Sequence, residues 1–129
     1  MKYEVDKQEH YTVMALKDTN VNSLVAPELK SEFVVLSNEG ITNLIIDLSE
    51  VEYIDSSGLS AILTANRVFK ANDGTMVLTG TQHPAVKKLI EISRLDTVIN
   101  IVPTVQESID FVRMDGLERD LKAEGPSDN

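Results

Sequence analysis

Asp55, Ser56 and Ser57 stand together in the run Asp47-Leu48-Ser49-Glu50-Val51-Glu52-Tyr53-Ile54-Asp55-Ser56-Ser57-Gly58-Leu59. A strand-like stretch precedes them and a helical period follows, so they occupy a strand-to-helix turn. In an open α/β sheet such a turn lies at the carboxyl edge of the strands, where ligands and partners meet these folds. All three residues are good N-caps, and a cap leaves backbone amides and the positive end of the helix dipole facing outward. The plain reading is a helix cap and nothing more. The chemical reading is an anion site: a phosphate carried covalently on a serine could be held there without a lysine or arginine nearby.

Other chemistries find less support. A serine nucleophile at a sharp turn would call for Gly-x-Ser-x-Gly, which is absent, and the only histidines, His10 and His83, fall in other segments. Two histidines without a cysteine make a poor metal set. His83 beside Pro84 reads instead as a helix-entry residue. The stretch Gly80-Thr81-Gln82-His83-Pro84 lacks the Gly-x-x-x-x-Gly-Lys pattern of a phosphate-binding loop. Arg67, Lys70, Lys87, Lys88 and Arg94 are scattered over two helical stretches, as on a solvated face. No catalytic residue, metal or cofactor is expected.

The elements that must position the turn follow from periodicity. Tyr3 and Val5, then Tyr11, Val13 and Ala15, alternate on either side of the polar stretch Lys7 to His10, which predicts a β-hairpin. After a polar loop from Lys17 to Ser23, the helical spacing of Val25, Leu29, Phe33 and Leu36 predicts a first helix, with Pro27 in its early turn and Gly40 at its end. Leu44-Ile45-Ile46-Asp47-Leu48 has the near-continuous apolar character of a strand buried on both faces. A second helix from about Ser57 turns Leu59, Ile62, Leu63 and Phe69 to the sheet and stops at Asn72-Asp73-Gly74.

Met76-Val77-Leu78 is the next strand, and Pro84 opens a third helix with Val86, Leu89 and Ile90 on its apolar face. Val98 to Val102 makes the last strand. Thr104-Val105-Gln106-Glu107 has the form of a capping box for a fourth helix through Ile109, Phe111 and Val112. Alternating strands and helices imply right-handed crossovers, hence an α/β fold with a mostly parallel, mixed sheet of about five strands, an N-terminal hairpin and four helices. Residues 1–115 are expected to form one domain and 116–129 a polar C-terminal tail, partly disordered.

Composition narrows the function. The 129 residues suit a single domain, and 42% apolar content supplies one core. With no cysteine, disulfides and thiolate chemistry are excluded, and a reducing cytoplasm fits best. Met1 to His10 alternates polar and apolar residues rather than forming a secretory signal, and no run approaches the roughly 20 apolar residues that span a bilayer. Direct membrane insertion is not expected. A net charge of −9 repels phosphate backbones, so nucleic acid is not an expected partner. Solubility accounts for that acidity without invoking a basic partner.

Asp55-Ser56-Ser57-Gly58-Leu59, preceded by Leu-Ile-Ile-Asp-Leu-Ser and Tyr-Ile, resembles the signature of the STAS family, particularly its anti-sigma factor antagonists. The resemblance runs from about Tyr3 to Phe111 in element order as well as motif. It implies a STAS fold and a non-enzymatic protein-binding switch. In the family, the first serine after the aspartate is phosphorylated by a kinase that is itself the anti-sigma factor, which here implies Ser56. Ser57 would be the neighbouring cap, Gly58 would allow close approach of another backbone, and Asp55 would shape the loop.

The partners implied are an anti-sigma factor serine kinase, which would hold the nucleotide, and a serine phosphatase. The partner-binding face is expected to comprise Asn22, Tyr53, Asp55, Ser57, Gly58, Leu59 and Ile62. One departure stands out: similar proteins often carry Gly-x-x-Asp before the first helix, and Thr19-Asn20-Val21-Asn22 occupies that place here. Asn22 keeps a capping oxygen but loses the charge, so a phosphate would meet less repulsion. STAS domains also serve as constitutive accessory subunits of membrane transporters, including lipid-transport complexes. The intact Asp55-Ser56-Ser57-Gly58 favours the switch, because a permanent dock has no use for a modifiable serine there.

Overall fold

The computed structural model describes residues 1–124. In chain order its elements are β1 (Tyr3–Lys7), β2 (Thr12–Leu16), β3 (Asn20–Val21), α1 (Ala26–Asn38), β4 (Asn43–Asp47), β5 (Tyr53–Ile54), α2 (Ser56–Ala71), β6 (Thr75–Thr79), α3 (Pro84–Ser93), β7 (Asn100–Ile101) and α4 (Val105–Glu124). A single 3₁₀ turn, Leu95–Thr97, separates α3 from β7. That turn shortens the last strand relative to the Val98 to Val102 expectation, since the amides of Val98 and Ile99 both donate to the Leu95 carbonyl.

The expected mixed five-stranded sheet is present in the order β1-β2-β4-β6-β7. The β1–β2 pair is the antiparallel hairpin, Tyr3 facing Leu16 and Lys7 facing Thr12, and the remaining pairs are parallel. Side chains in a strand alternate between faces. Leu44 and Ile46 of β4, with Met76 and Leu78 of β6, accordingly join the larger core beneath α1, α2 and α3, while Ile45 and Val77 meet Ile109 and Val112 of α4 on the other side. The sheet is thus covered on both faces, which is why its central strands read as unbroken apolar runs. Among the described residues no helix is long and apolar enough to cross a membrane.

Two further features depart from expectation. The first is the C-terminal helix. A tail was expected from residue 116, but α4 passes through Gly116 and continues to Glu124. A glycine inside a helix costs only about 1 kcal/mol relative to alanine. Here the turn before it is held down by buried Val112 and by the Asp115 carboxylate, which accepts a hydrogen bond from the Thr75 hydroxyl of β6. The start of α4 is secured by Thr104, whose Oγ1 accepts from the Glu107 amide at 3.1 Å, one half of the expected capping box. The tail expectation for residues 125–129 lies outside the described residues.

The second departure is a two-stranded parallel sheet that pairs β3, in what reads as polar loop, with β5, in what reads as the strand-to-helix turn. Asn20 faces Tyr53 and Val21 faces Ile54. The first turn of α2 sits directly on this pair: a Cβ on Gly58 would collide with the Val21 carbonyl oxygen and come within 2.9 Å of both Ile54 Cγ2 and Val21 Cγ1. The close approach that Gly58 allows is therefore to the chain's own backbone. Replacing Gly58 by valine should lower the unfolding free energy by about 1–3 kcal/mol, the usual cost of overpacking, read from the midpoint of urea denaturation. An unchanged midpoint would mean that β3 can withdraw freely from the helix.

Candidate functional site

The strand-to-helix turn is built by pinning two distant segments together. The amides of Glu52 and Tyr53 both donate to the Thr19 carbonyl, at 2.8 and 3.0 Å, and the Asp55 amide donates to the Val21 carbonyl at 3.2 Å. Residues 19–22 are thereby zipped against residues 52–55. With its backbone extended at φ −95° and ψ −176°, Asp55 turns its side chain onto the helix, and Oδ1 accepts from the Gly58 amide at 3.0 Å. Asp55 is the N-cap, which corrects the expectation that Ser57 supplies it. The Leu59 amide closes the first helical turn on the Asp55 carbonyl at 2.9 Å. Of the early amides, Gly58's is used by the cap, while those of Ser56 and Ser57 lie at positions where a helix offers no internal acceptor.

Facing this turn is the entry to α1. Asn22 accepts from the Leu24 amide through Oδ1 at 3.0 Å, and its carbonyl accepts from the Val25 and Ala26 amides at 3.0 and 2.8 Å. The capping oxygen left by the Asp-to-Asn departure is therefore in use, in a local Asx turn. That turn thrusts Leu24 into solvent, 87% exposed, and across the β3–β5 pair Tyr53 is 59% exposed. Sequence reading passed over Leu24 because a single apolar residue within a polar loop has no period to mark it.

Between the two helix starts lies a shallow groove of about 290 Å³, lined on the α1 side by Ser23, Ala26, Pro27 and Lys30 and on the α2 side by Ser56, Ser57 and Ser60. The sequence reading needed no lysine or arginine near a phosphate here, yet the groove has one in its lining, Lys30. The sequence does not mark Lys30 because only the packing of α1 against α2, which no local period shows, brings it to the same groove as Ser56. Among the described residues Lys30 forms no ion pair, and no carboxylate lines the groove.

Burial sorts the expected partner-binding residues into two groups. Tyr53, Asp55 and Ser56 are exposed, and Asn22, Ser57 and Leu59 are half-buried, with Leu59 packing on the main core. Gly58 is buried and Ile62 is fully buried, so neither can offer surface to a partner, contrary to expectation. Both follow from the same cause: the apolar stripe Gly58-Ala61-Ile62-Ala65-Phe69 is the face by which α2 seats on the sheet. Among the described residues no cluster of three histidine, aspartate or glutamate side chains could hold a metal ion.

A protein of Bordetella bronchiseptica that bears the name anti-sigma factor antagonist BtrV is 30% identical over 93 residues, covering 72% of this chain and 78% of that one. The anti-sigma-B factor antagonist of Listeria monocytogenes is 34% identical over 82 residues, 63% of this chain and 70% of its own length. Among solved structures, the Bacillus cell fate determinant SpoIIAA in its phosphorylated form superposes with a TM-score of 0.66 at 20% identity, over 86% of this chain and 99% of that one. The order of elements and the mixed sheet agree with that superposition, and the model of the STAS domain matches residues 3–122. The chain belongs to the STAS domain family.

Proposed function

We propose that the chain is an anti-sigma factor antagonist whose capture of its partner is controlled by phosphorylation of Ser56. The observation that carries this reading is the setting of Ser56: an exposed hydroxyl on the first residue of α2, immediately after a capping aspartate, on a turn anchored to the body by β3 and β5. The relatives' names support the antagonist role. A serine kinase that is also the anti-sigma factor would transfer the γ-phosphoryl group of ATP to Ser56 Oγ, breaking the bond to ADP and releasing the hydroxyl proton. A serine phosphatase would reset the switch by hydrolysis. The protein would work in the cytoplasm.

The modification acts through charge at a fixed surface. A phosphoserine adds about −1.5 to −2 charges at pH 7. A partner burying this turn would have to strip water from that dianion, a cost of several kcal/mol where no pairing group comes from the partner. Unmodified protein captures the anti-sigma factor and frees the sigma factor, and phosphorylated protein leaves the sigma factor sequestered. The partner-facing residues on this reading are Asn22, Tyr53, Asp55, Ser57 and Leu59, with Leu24 added.

Two measurements test this. Mass spectrometry of the protein from its native cell should place phosphate on Ser56, and incubation with the cognate kinase and ATP should label the wild type and Ser57→Ala but not Ser56→Ala. Label retained by Ser56→Ala and lost from Ser57→Ala would overturn the assignment. The apolar anchors are tested separately: truncating either Leu24 or Tyr53 to alanine should weaken kinase binding by tenfold or more, about 1.4 kcal/mol or more, with no loss of thermal stability. Equal affinity of both variants in titration calorimetry would remove this edge from the interface.

A further inference from the structure

We propose that Lys30 is the receiver of the phosphoryl group on Ser56, so that the phosphorylated turn is held by an ion pair within the domain, across the groove between α1 and α2. The inference rests on Ser56 being the modified residue and adds what happens to the charge once it is there. Lys30 and Ser56 line the same groove from opposite helices. A helical side chain is tilted toward the N-terminus of its own helix and covers the turn before it. For Lys30 that turn carries Ala26 and Pro27, which line the groove beside it. A stem laid over these two apolar residues would let the ammonium reach across the groove toward the wall that carries Ser56.

The surroundings suit a dianion. The groove is lined by the hydroxyls of Ser23, Ser57 and Ser60 and by no carboxylate. The acidic side chain in the first turn of α1, Glu28, is engaged by the chain's amino terminus at 3.0 Å. Asp55, the nearest negative charge in sequence, has its carboxylate turned onto the Gly58 amide at 3.0 Å. In a chain of net charge −9, Lys30, which forms no ion pair among the described residues and lines the groove across from the acceptor serine, gives the phosphate one short-range attraction against a repulsive background.

The test installs phosphoserine at position 56 of the full chain during translation, so it does not depend on any kinase. ³¹P NMR then follows the second ionisation of the phosphate, whose ordinary value is about 6. A neighbouring ammonium favours the dianion, so Lys30→Met should raise that midpoint by about 0.2–0.7 pH units, the range for a partly exposed pair. Lys30→Arg should restore it, and Lys70→Met, at the far end of α2, should leave it unmoved. A midpoint that is the same in wild type and Lys30→Met, or one that moves equally in Lys70→Met, overturns the proposal. If instead the kinase fails to modify Ser56 in the unmodified protein, the switch reading falls while this titration keeps its meaning as a property of the groove.

Discussion

Where β3 meets the first turn of α2, the missing side chain at Gly58 lets a helix rest on a strand backbone. Everything at the candidate site hangs on that contact. Because nothing projects from Gly58, the Val21 carbonyl can approach the helix and at the same time accept from the Asp55 amide. That bond orients Asp55 so that its carboxylate caps the Gly58 amide, and the cap in turn makes Ser56 the first residue of the helix. The same β3 strand leads within one residue into the Asn22 turn, so Leu24 and the start of α1 are carried to the same edge. A site drawn from residues more than thirty positions apart is thus positioned by two pairs of strand residues and one glycine.

The fold was legible where burial imposes a period. The two-sided burial of β4 and β6 writes itself as Leu-Ile-Ile and Met-Val-Leu, and the seating faces of α1 and α2 appear as Leu29-Phe33-Leu36 and Ile62-Phe69. Two-residue strands have no period to show, so β3 and β5 were invisible. Their pairing depends on backbone groups brought together only once the sheet and α2 exist. The end of α4 was misjudged for the opposite reason: Gly116 is a genuine local signal against helix, outweighed by contacts with β6 that sit forty residues upstream.

The site was half legible by the same logic. Asp55-Ser56-Ser57-Gly58 announces a helix start, and the start is there. Which of three capping residues wins could not be read from type alone, because aspartate and serine are near-equal caps and the decision was made by the Val21 carbonyl fixing the Asp55 backbone. Gly58 and Ile62 were assigned to the surface because they adjoin the loop in sequence, whereas a helix turns its residues by about 100° each and carries those two inward. Lys30 belongs to a different helix altogether, and only packing of α1 against α2 brings it to the groove.

These placements bear on how a charge at Ser56 could be transmitted. Below the first turn, α2 buries Ala61, Ile62, Ala65 and Phe69 against the sheet, and close-packed cores shift only when many contacts are broken together. Moving the helix by even part of a turn would also drive Gly58 against β3, with no slack for the displacement. A phosphate on Ser56 therefore meets a rigid support. Its effect must be read at the surface, by whatever touches Leu24, Tyr53 and the groove. The economy of such a device is that one hydroxyl is exchanged for a dianion while the apolar anchors beside it stay where they were. Were Ser56 to be phosphorylated as proposed, the two forms would differ in electrostatics and hydration, with the same fold beneath them.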